Sequence, residues 1–212
     1  AKPAGEPLAR VREKLKRGQP ITVVTMGDSL TDYNHWANKP INWPTLFKDK
    51  LKTDFKLSGD VTVVNPAIGG TELRQNVVLI PRWHAQAPGP DLVTICFGYN
   101  DYSSGMRGPM YRQTLIDAVD KVRRATGGKS DVMIITSCRA VDKWDDFAEL
   151  VEAARAAAKD RNAGLADIFT AFGEAAQAKG GDREHLFCRD KVHLGPVGHE
   201  VVAKTVEAAI GK

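Results

Sequence analysis

The sequence predicts an α/β domain of three layers, α/β/α, around a central parallel sheet of about five strands. Short β-branched runs recur along the 212 residues. Each is nearly continuous in apolar residues, as strands covered on both faces are. Helical stretches lie between the runs, and parallel strands require such crossovers. Each run also stops at glycine and small polar residues, the punctuation of a turn.

In chain order, Pro7 to Arg17 sets Leu8, Val11 and Leu15 at helical spacing, and Gly18-Gln19-Pro20 ends that helix. Ile21 to Met26 is the first strand and stops at Gly27-Asp28-Ser29. Val61 to Val64 is the second, stopping near Asn65-Pro66, and Asp91 to Phe97 is the third, ending at Gly98. Asp131 to Thr136 is a fourth, and a weaker fifth is placed at Ala166 to Phe169. Helices are expected near 43–52, 112–126, 145–160, 171–179 and 197–210, the third of these rich in alanine, a strong helix former. No repeat, low-complexity tract or linker interrupts the pattern, so residues 1–212 read as a single domain.

Composition excludes several classes. Hydrophobic residues are 42% and charged residues 26%, ordinary for a chain that buries a core without disulfides or a structural metal. The net charge of +4 is mild. Lys48, Lys50, Lys52 and Lys56 are interrupted by Asp49 and Asp54, which reads as the solvated side of a helix and not as a nucleic-acid footprint. No apolar run approaches the ~20 residues that span a bilayer, so no integral membrane segment is expected. The start Ala1-Lys2-Pro3-Ala4-Gly5 reads as a mature or trimmed terminus. Three widely spaced cysteines, Cys96, Cys138 and Cys188, give neither a disulfide framework nor zinc spacing. His35, His84, His185 and His199 have no ligand spacing with Asp or Glu and read as surface or capping residues.

In open α/β sheets, sites gather at the carboxyl ends of the strands. Gly27-Asp28-Ser29-Leu30-Thr31 follows the first strand, Gly69-Gly70-Thr71 the second, and Gly98-Tyr99-Asn100-Asp101 the third. Asp190-Lys191-Val192-His193 lies near the C-terminus, a spacing that lets a carboxylate orient an imidazole toward a nucleophile. Each cluster alone is ordinary turn or cap chemistry. Together, in this order, they resemble the four signature blocks of the SGNH (GDSL) hydrolase family over positions 21 to about 200. The matching residues are Ser29, Gly70, Asn100 and His193, with Asp190 as the third member of the triad. Gly70 fits better than Gly69 because a small polar residue, Thr71, follows it.

The resemblance implies a flavodoxin-like strand order 2-1-3-4-5 and a serine esterase mechanism. Ser29 is the implied nucleophile, His193 the base and Asp190 its orienting partner. The backbone N–H groups of Ser29 and Gly70 and the Asn100 side chain form the implied oxyanion hole. It implies no cofactor and requires no metal. The order Ser, Asp, His, with Ser29 near the N-terminus and no glycine two residues after it, differs from Gly-x-Ser-x-Gly enzymes.

The expected partner is a small-molecule or carbohydrate ester, with short acyl groups such as acetyl preferred because lid-like apolar loops are few. Asp32, Trp36, Arg74, Tyr99, Tyr102, Arg139 and Trp144 are candidate substrate contacts. A lipase acting on longer chains and an acyltransferase on the same residues remain alternatives; the intact five-residue set argues against an inactive scaffold, and Asp28 and Asp32 against a phosphate-cradling flavin or nucleotide site. In this fold Cys138 and Cys188 both belong to the top of the sheet. A disulfide between them is therefore a further expectation, and with the chain start it points to a secreted or periplasmic protein.

Overall fold

Strands β1 (Ile21–Gly27), β2 (Val61–Val64), β3 (Leu92–Cys96), β4 (Asp131–Ile135) and β5 (Gly164–Ala166) pair in parallel, in the order β2-β1-β3-β4-β5. This computed structural model describes residues 5–211; the start Ala1–Ala4, read above as a trimmed terminus, lies outside them, as does Lys212.

Alternation along each strand sorts the core into two layers. Val23, Leu92, Cys96, Met133 and Ile135 face one side. There they meet α1 (Ala9–Lys16), α2 (Trp43–Asp54) and, from later in the chain, Phe172 and Val202. Val24, Met26, Val93, Ile95, Val132 and Ile134 face the other side. That layer is closed by α3 (Leu73–Val77), α4 (Ile80–His84), α6 (Gly108–Ala125) and α7 (Ala148–Arg161), with the short α5 (Tyr99–Ser103) at the upper end of β3. Helices α8 (Ile168–Ala178) and α9 (Pro196–Ile210) complete the first layer. No described helix is long and apolar enough to cross a membrane.

Two expectations are corrected. The fifth strand ends at Ala166 because Asp167 caps a helix: its side chain accepts from the Thr170 N–H at 3.1 Å, and Arg155 braces the same carboxylate. Ile168 and Phe169 are therefore helical and begin α8, not strand. The Cys138–Cys188 disulfide is not formed, since all three cysteines are free thiols and the Cys188 Sγ–H donates to the Leu194 carbonyl at 3.2 Å. With no disulfide formed, the cysteines do not point to an oxidising compartment.

Candidate active site

The nucleophile candidate stands in the turn directly beyond β1. Asp28 shapes that turn: its Oδ1 accepts the Leu30 N–H at 3.0 Å, and its carbonyl accepts from Thr31 and Asp32. The following loop is tied back by Asn38, whose Nδ2 donates to the carbonyls of Ser29 and Asp32, each at 2.7 Å. Asn65 donates to the Thr31 carbonyl in the same way. The backbone around Ser29 is thus held by bonds on both sides, and its Oγ takes no part in them.

The imidazole arrives from the far end of the chain. A tight turn carries it, closed by the Lys191 N–H to the Cys188 carbonyl and the Cys188 N–H to the His193 carbonyl, with Lys191 at φ 63°. Asp190 uses both oxygens. Oδ1 accepts the backbone N–H groups of Val192 and His193, and Oδ2 lies 2.6 Å from His193 Nδ1. On the other side of the ring, Nε2 is 3.0 Å from Ser29 Oγ. Partial burial pushes the Asp190 carboxyl up, but the hydrogen bonds from His193 and Val192 outweigh it and hold the group below the usual carboxylate range. An anionic carboxylate, an oriented imidazole and a hydroxyl therefore form one relay, the arrangement that activates a serine.

The loops beside Ser29 carry several N–H groups, some engaged and some not. The N–H of Gly69 is taken by Asp32 Oδ2 at 3.0 Å and that of Leu30 by Asp28, whereas the Ser29 and Gly70 N–H groups have no acceptor among the described residues. Gly70 sits at φ +75°, a conformation that L side chains avoid. Asn100 is delivered by the turn at Gly98, where φ is +141° and a side chain would collide with Ser137. One Nδ2 hydrogen of Asn100 is held by the Thr71 carbonyl at 3.1 Å; the other has only a 3.4 Å contact to Asp28 Oδ2, at the outer limit of hydrogen bonding. Ser29, Gly70 and Asn100, each with an N–H not firmly bonded among the described residues, thus line the same cleft.

Two carboxyls within the sequence motifs, Asp28 next to Ser29 and Asp101 next to Asn100, are buried. Asp28 is buried, and that burial pushes its pKa up to about 7 against the pull of the Leu30 N–H, with Asp101 adding to the rise. Asp101 is raised to about 6, again chiefly by burial, and its Oδ1 accepts the Leu73 N–H at 3.0 Å.

The cleft itself is small, about 220 Å³, and Ser29, Gly70, Tyr99, Asn100, Val192 and His193 are among the residues that line it. Of the expected substrate contacts, Tyr99 lines it and Trp36 stands at its edge, with its indole 5.8 Å from the His193 ring. The others are engaged elsewhere. Asp32 spends its carboxylate on the N–H groups of Gly69 and Asn34. Arg74 pairs with Glu72 at 2.6 Å. Tyr102 packs edge-on against Phe147 beneath the Arg107 guanidinium. Arg139 is bound to the carbonyls of Phe169 and Trp144, and Trp144 rests on Phe187. Sequence reasoning missed His35, whose ring stacks on His193 at 4.1 Å. It lies six residues after Ser29 in a loop without periodicity, and nothing local marks it.

The model of the GDSL-like lipase/acylhydrolase family matches residues 25–201. The chain belongs to this family. It is a carboxylic ester hydrolase, of the class that acts on small-molecule esters. The fold of this GDSL-like hydrolase is shared by solved structures of low sequence identity. A lipase/acylhydrolase from Enterococcus faecalis is 20% identical, with a TM-score of 0.72 over 90% of this chain and 95% of its own. An acetylxylan esterase from Geobacillus stearothermophilus is 20% identical, with a TM-score of 0.71 over 91% of this chain and 94% of its own. TesA is likewise 20% identical, with a TM-score of 0.70 over 90% and 98%. Among curated proteins, sequence comparison finds no match.

Proposed function

We propose that this hydrolase cleaves short-acyl esters, acetyl esters of carbohydrates above all, through Ser29, His193 and Asp190. The observation that carries the reading is the continuous line from Asp190 Oδ2 to His193 Nδ1 and from His193 Nε2 to Ser29 Oγ, at 2.6 and 3.0 Å.

In the reaction, His193 Nε2 takes the Ser29 hydroxyl proton as Oγ bonds to the ester carbonyl carbon. The carbonyl electron pair moves onto oxygen, where the N–H groups of Ser29 and Gly70 and the Asn100 amide receive it. The anionic Asp190 stabilises the imidazolium and fixes its tautomer. The C–O bond to the alcohol then breaks, and the leaving oxygen takes the proton from His193. Water repeats the sequence on the acyl-enzyme and frees the acid.

The size of the cleft supports a short acyl group. About 220 Å³ is below the roughly 300–1,000 Å³ of pockets that enclose drug-sized ligands, and a long acyl chain would have to lie outside it. The fold shared with an acetylxylan esterase agrees with acetyl as the acyl group.

The test is a series of nitrophenyl esters from acetate to palmitate, with Ser29→Ala as control. Wild type is expected to turn over acetate fastest, and Ser29→Ala to lose nearly all of that activity. Equal inertness of both proteins on every ester would sink the mechanism, and a rate that climbs toward palmitate would sink the short-acyl assignment.

A further inference from the structure

The loop after the nucleophile builds an aromatic shelf against the imidazole. Trp36 is 51% exposed, and no other aromatic side chain stands among the exposed large hydrophobics of the described residues. Its ring lies 5.5 Å from His35 and 5.8 Å from His193, centre to centre. His35 stacks nearly parallel on His193, at 4.1 Å and 27°. The shelf is not a loose flap. The Asn38 amide pins its loop to the Ser29 and Asp32 carbonyls, the His35 N–H bonds to the Asp32 carbonyl, and residues 36–38 close a 3-10 turn.

His35 presents a specific chemical group. The Ala37 N–H makes a long 3.4 Å contact to its Nδ1, which favours the tautomer that carries the proton on Nε2. No acceptor for that Nε2–H lies among the described residues. Partial burial, reinforced by the neighbouring His193, lowers the His35 pKa against the opposing charges of Asp32 and Asp190, so the ring is neutral at neutral pH. A neutral donor beside an exposed indole face, one aromatic contact apart, offers an apolar platform and a hydrogen bond together.

His35 also lines the small cleft with Ser29 and His193, and the exposed Trp36 extends that surface beyond it. His193 hands its proton to the departing alcohol, so the alcohol leaves on the side of that ring. The shelf flanks the same ring. We propose that His35 and Trp36 form the subsite for the alcohol part of the ester, and that they select a hydroxyl-bearing ring of the pyranose type. The C–H face of the ring lies on Trp36 and a ring hydroxyl accepts from His35 Nε2. A simple alkyl alcohol leaves the donor unused and reaches little of the indole. This subsite rests on the proposed reading of Ser29 and His193 as the reacting pair.

The experiment compares an O-acetylated β-xylopyranoside with ethyl acetate, whose alcohol is too small to cover the shelf. The readout is the ratio of kcat/KM on the sugar ester to that on ethyl acetate. Trp36→Ala and His35→Ala are each expected to lower the ratio about tenfold, mostly through KM on the sugar, while His35→Gln, which keeps a donor, restores part of it. Because His35 also touches His193, a second measurement removes catalysis: binding of the same sugar ester to Ser29→Ala should weaken about tenfold when Trp36→Ala is added. An unchanged ratio together with unchanged binding overturns the subsite and leaves the hydrolase reading intact, since ethyl acetate is still cleaved. Wild type inert on both esters overturns the hydrolase reading and the subsite with it.

Discussion

Asn100 has one firm hydrogen bond and one weak one, and that inequality suits it to receive a charge that appears only briefly. The bond to the Thr71 carbonyl at 3.1 Å fixes the amide, and the 3.4 Å contact to Asp28 leaves the second hydrogen weakly held, as the proposed oxyanion role requires. Asn100→Ala should therefore lower kcat about 10²–10³-fold with KM little changed, the signature of a donor used mainly in the transition state. Steady-state kinetics on a nitrophenyl acetate would check it; a loss carried by KM alone would assign Asn100 to substrate binding instead. At this scale the sequence is legible where residue type and turn position coincide. Ser29, Gly70, Asn100 and the Asp190–His193 pair stand at strand ends or in the closing turn, and the structure brings all of them to one cleft. It is silent where a side chain's role depends on a distant partner. Asp32 looks like a free carboxylate until Gly69 is folded against it, and His35 looks like a surface residue until His193 arrives from 158 positions away, the difference between their numbers.

Between elements, the loop after β4 is locked to the start of α8 by Arg139. Its Nε donates to the Phe169 carbonyl at 2.8 Å, its Nη1 to the Trp144 carbonyl at 2.8 Å, and the guanidinium lies 3.6 Å from the Phe169 ring centre. The same loop is joined to the turn that carries His193 by the Val141 N–H, which donates to the Lys191 carbonyl. Arg139→Ala removes two bonds to carbonyls and a stacked cation, each worth on the order of 1 kcal/mol, and an ion pair with the exposed Asp145 that adds little, so unfolding in urea should show a loss of about 2–3 kcal/mol. If Arg139 instead contacts substrate, KM on the acetylated sugar would rise sharply with no shift in the urea midpoint. The strands were readable because a parallel sheet writes continuous apolar runs into the sequence. The helices α3, α4 and α5 were not, since five residues each complete too little of a helical period to be seen. The displaced end of β5 has the same origin: apolar Ile168 and Phe169 suit either a strand or a helix, and only the Asp167 cap, braced by Arg155 from α7, decides.

Across the whole molecule, the buried carboxyl next to Ser29 links stability to pH. Asp28 titrates near its ordinary value of 3.8 in the unfolded chain and at about 7 in the fold, because burial disfavours its charge. A raised carboxyl pKa contributes stability that is full below the unfolded value and is lost as pH rises through the folded one. Between pH 5 and 8 the unfolded chain holds Asp28 ionised throughout, while the native protein must release a proton near pH 7. At ~1.4 kcal/mol per pKa unit, that release costs the native state roughly 3 kcal/mol. Other groups titrate as well. His199, lowered to about 4 by burial, works in the opposite sense and withdraws stability as pH falls from 6.5 toward 4. Comparing wild type with Asp28→Asn at each pH cancels those shared contributions. The amide keeps an acceptor for the Leu30 N–H and cannot ionise, so its cost or benefit should shift in its favour by roughly 3 kcal/mol between pH 5 and 8 in urea unfolding. Parallel curves for the two proteins would mean that Asp28 stays charged in the fold, paired more closely with Asn100 than the 3.4 Å contact indicates. The same substitution turns an N–H donor toward Asn100, so activity should fall while alkaline stability rises. That opposition is what a buried acid placed beneath an oxyanion site would produce: a group kept for the geometry of Asn100 at a cost to the fold above pH 7.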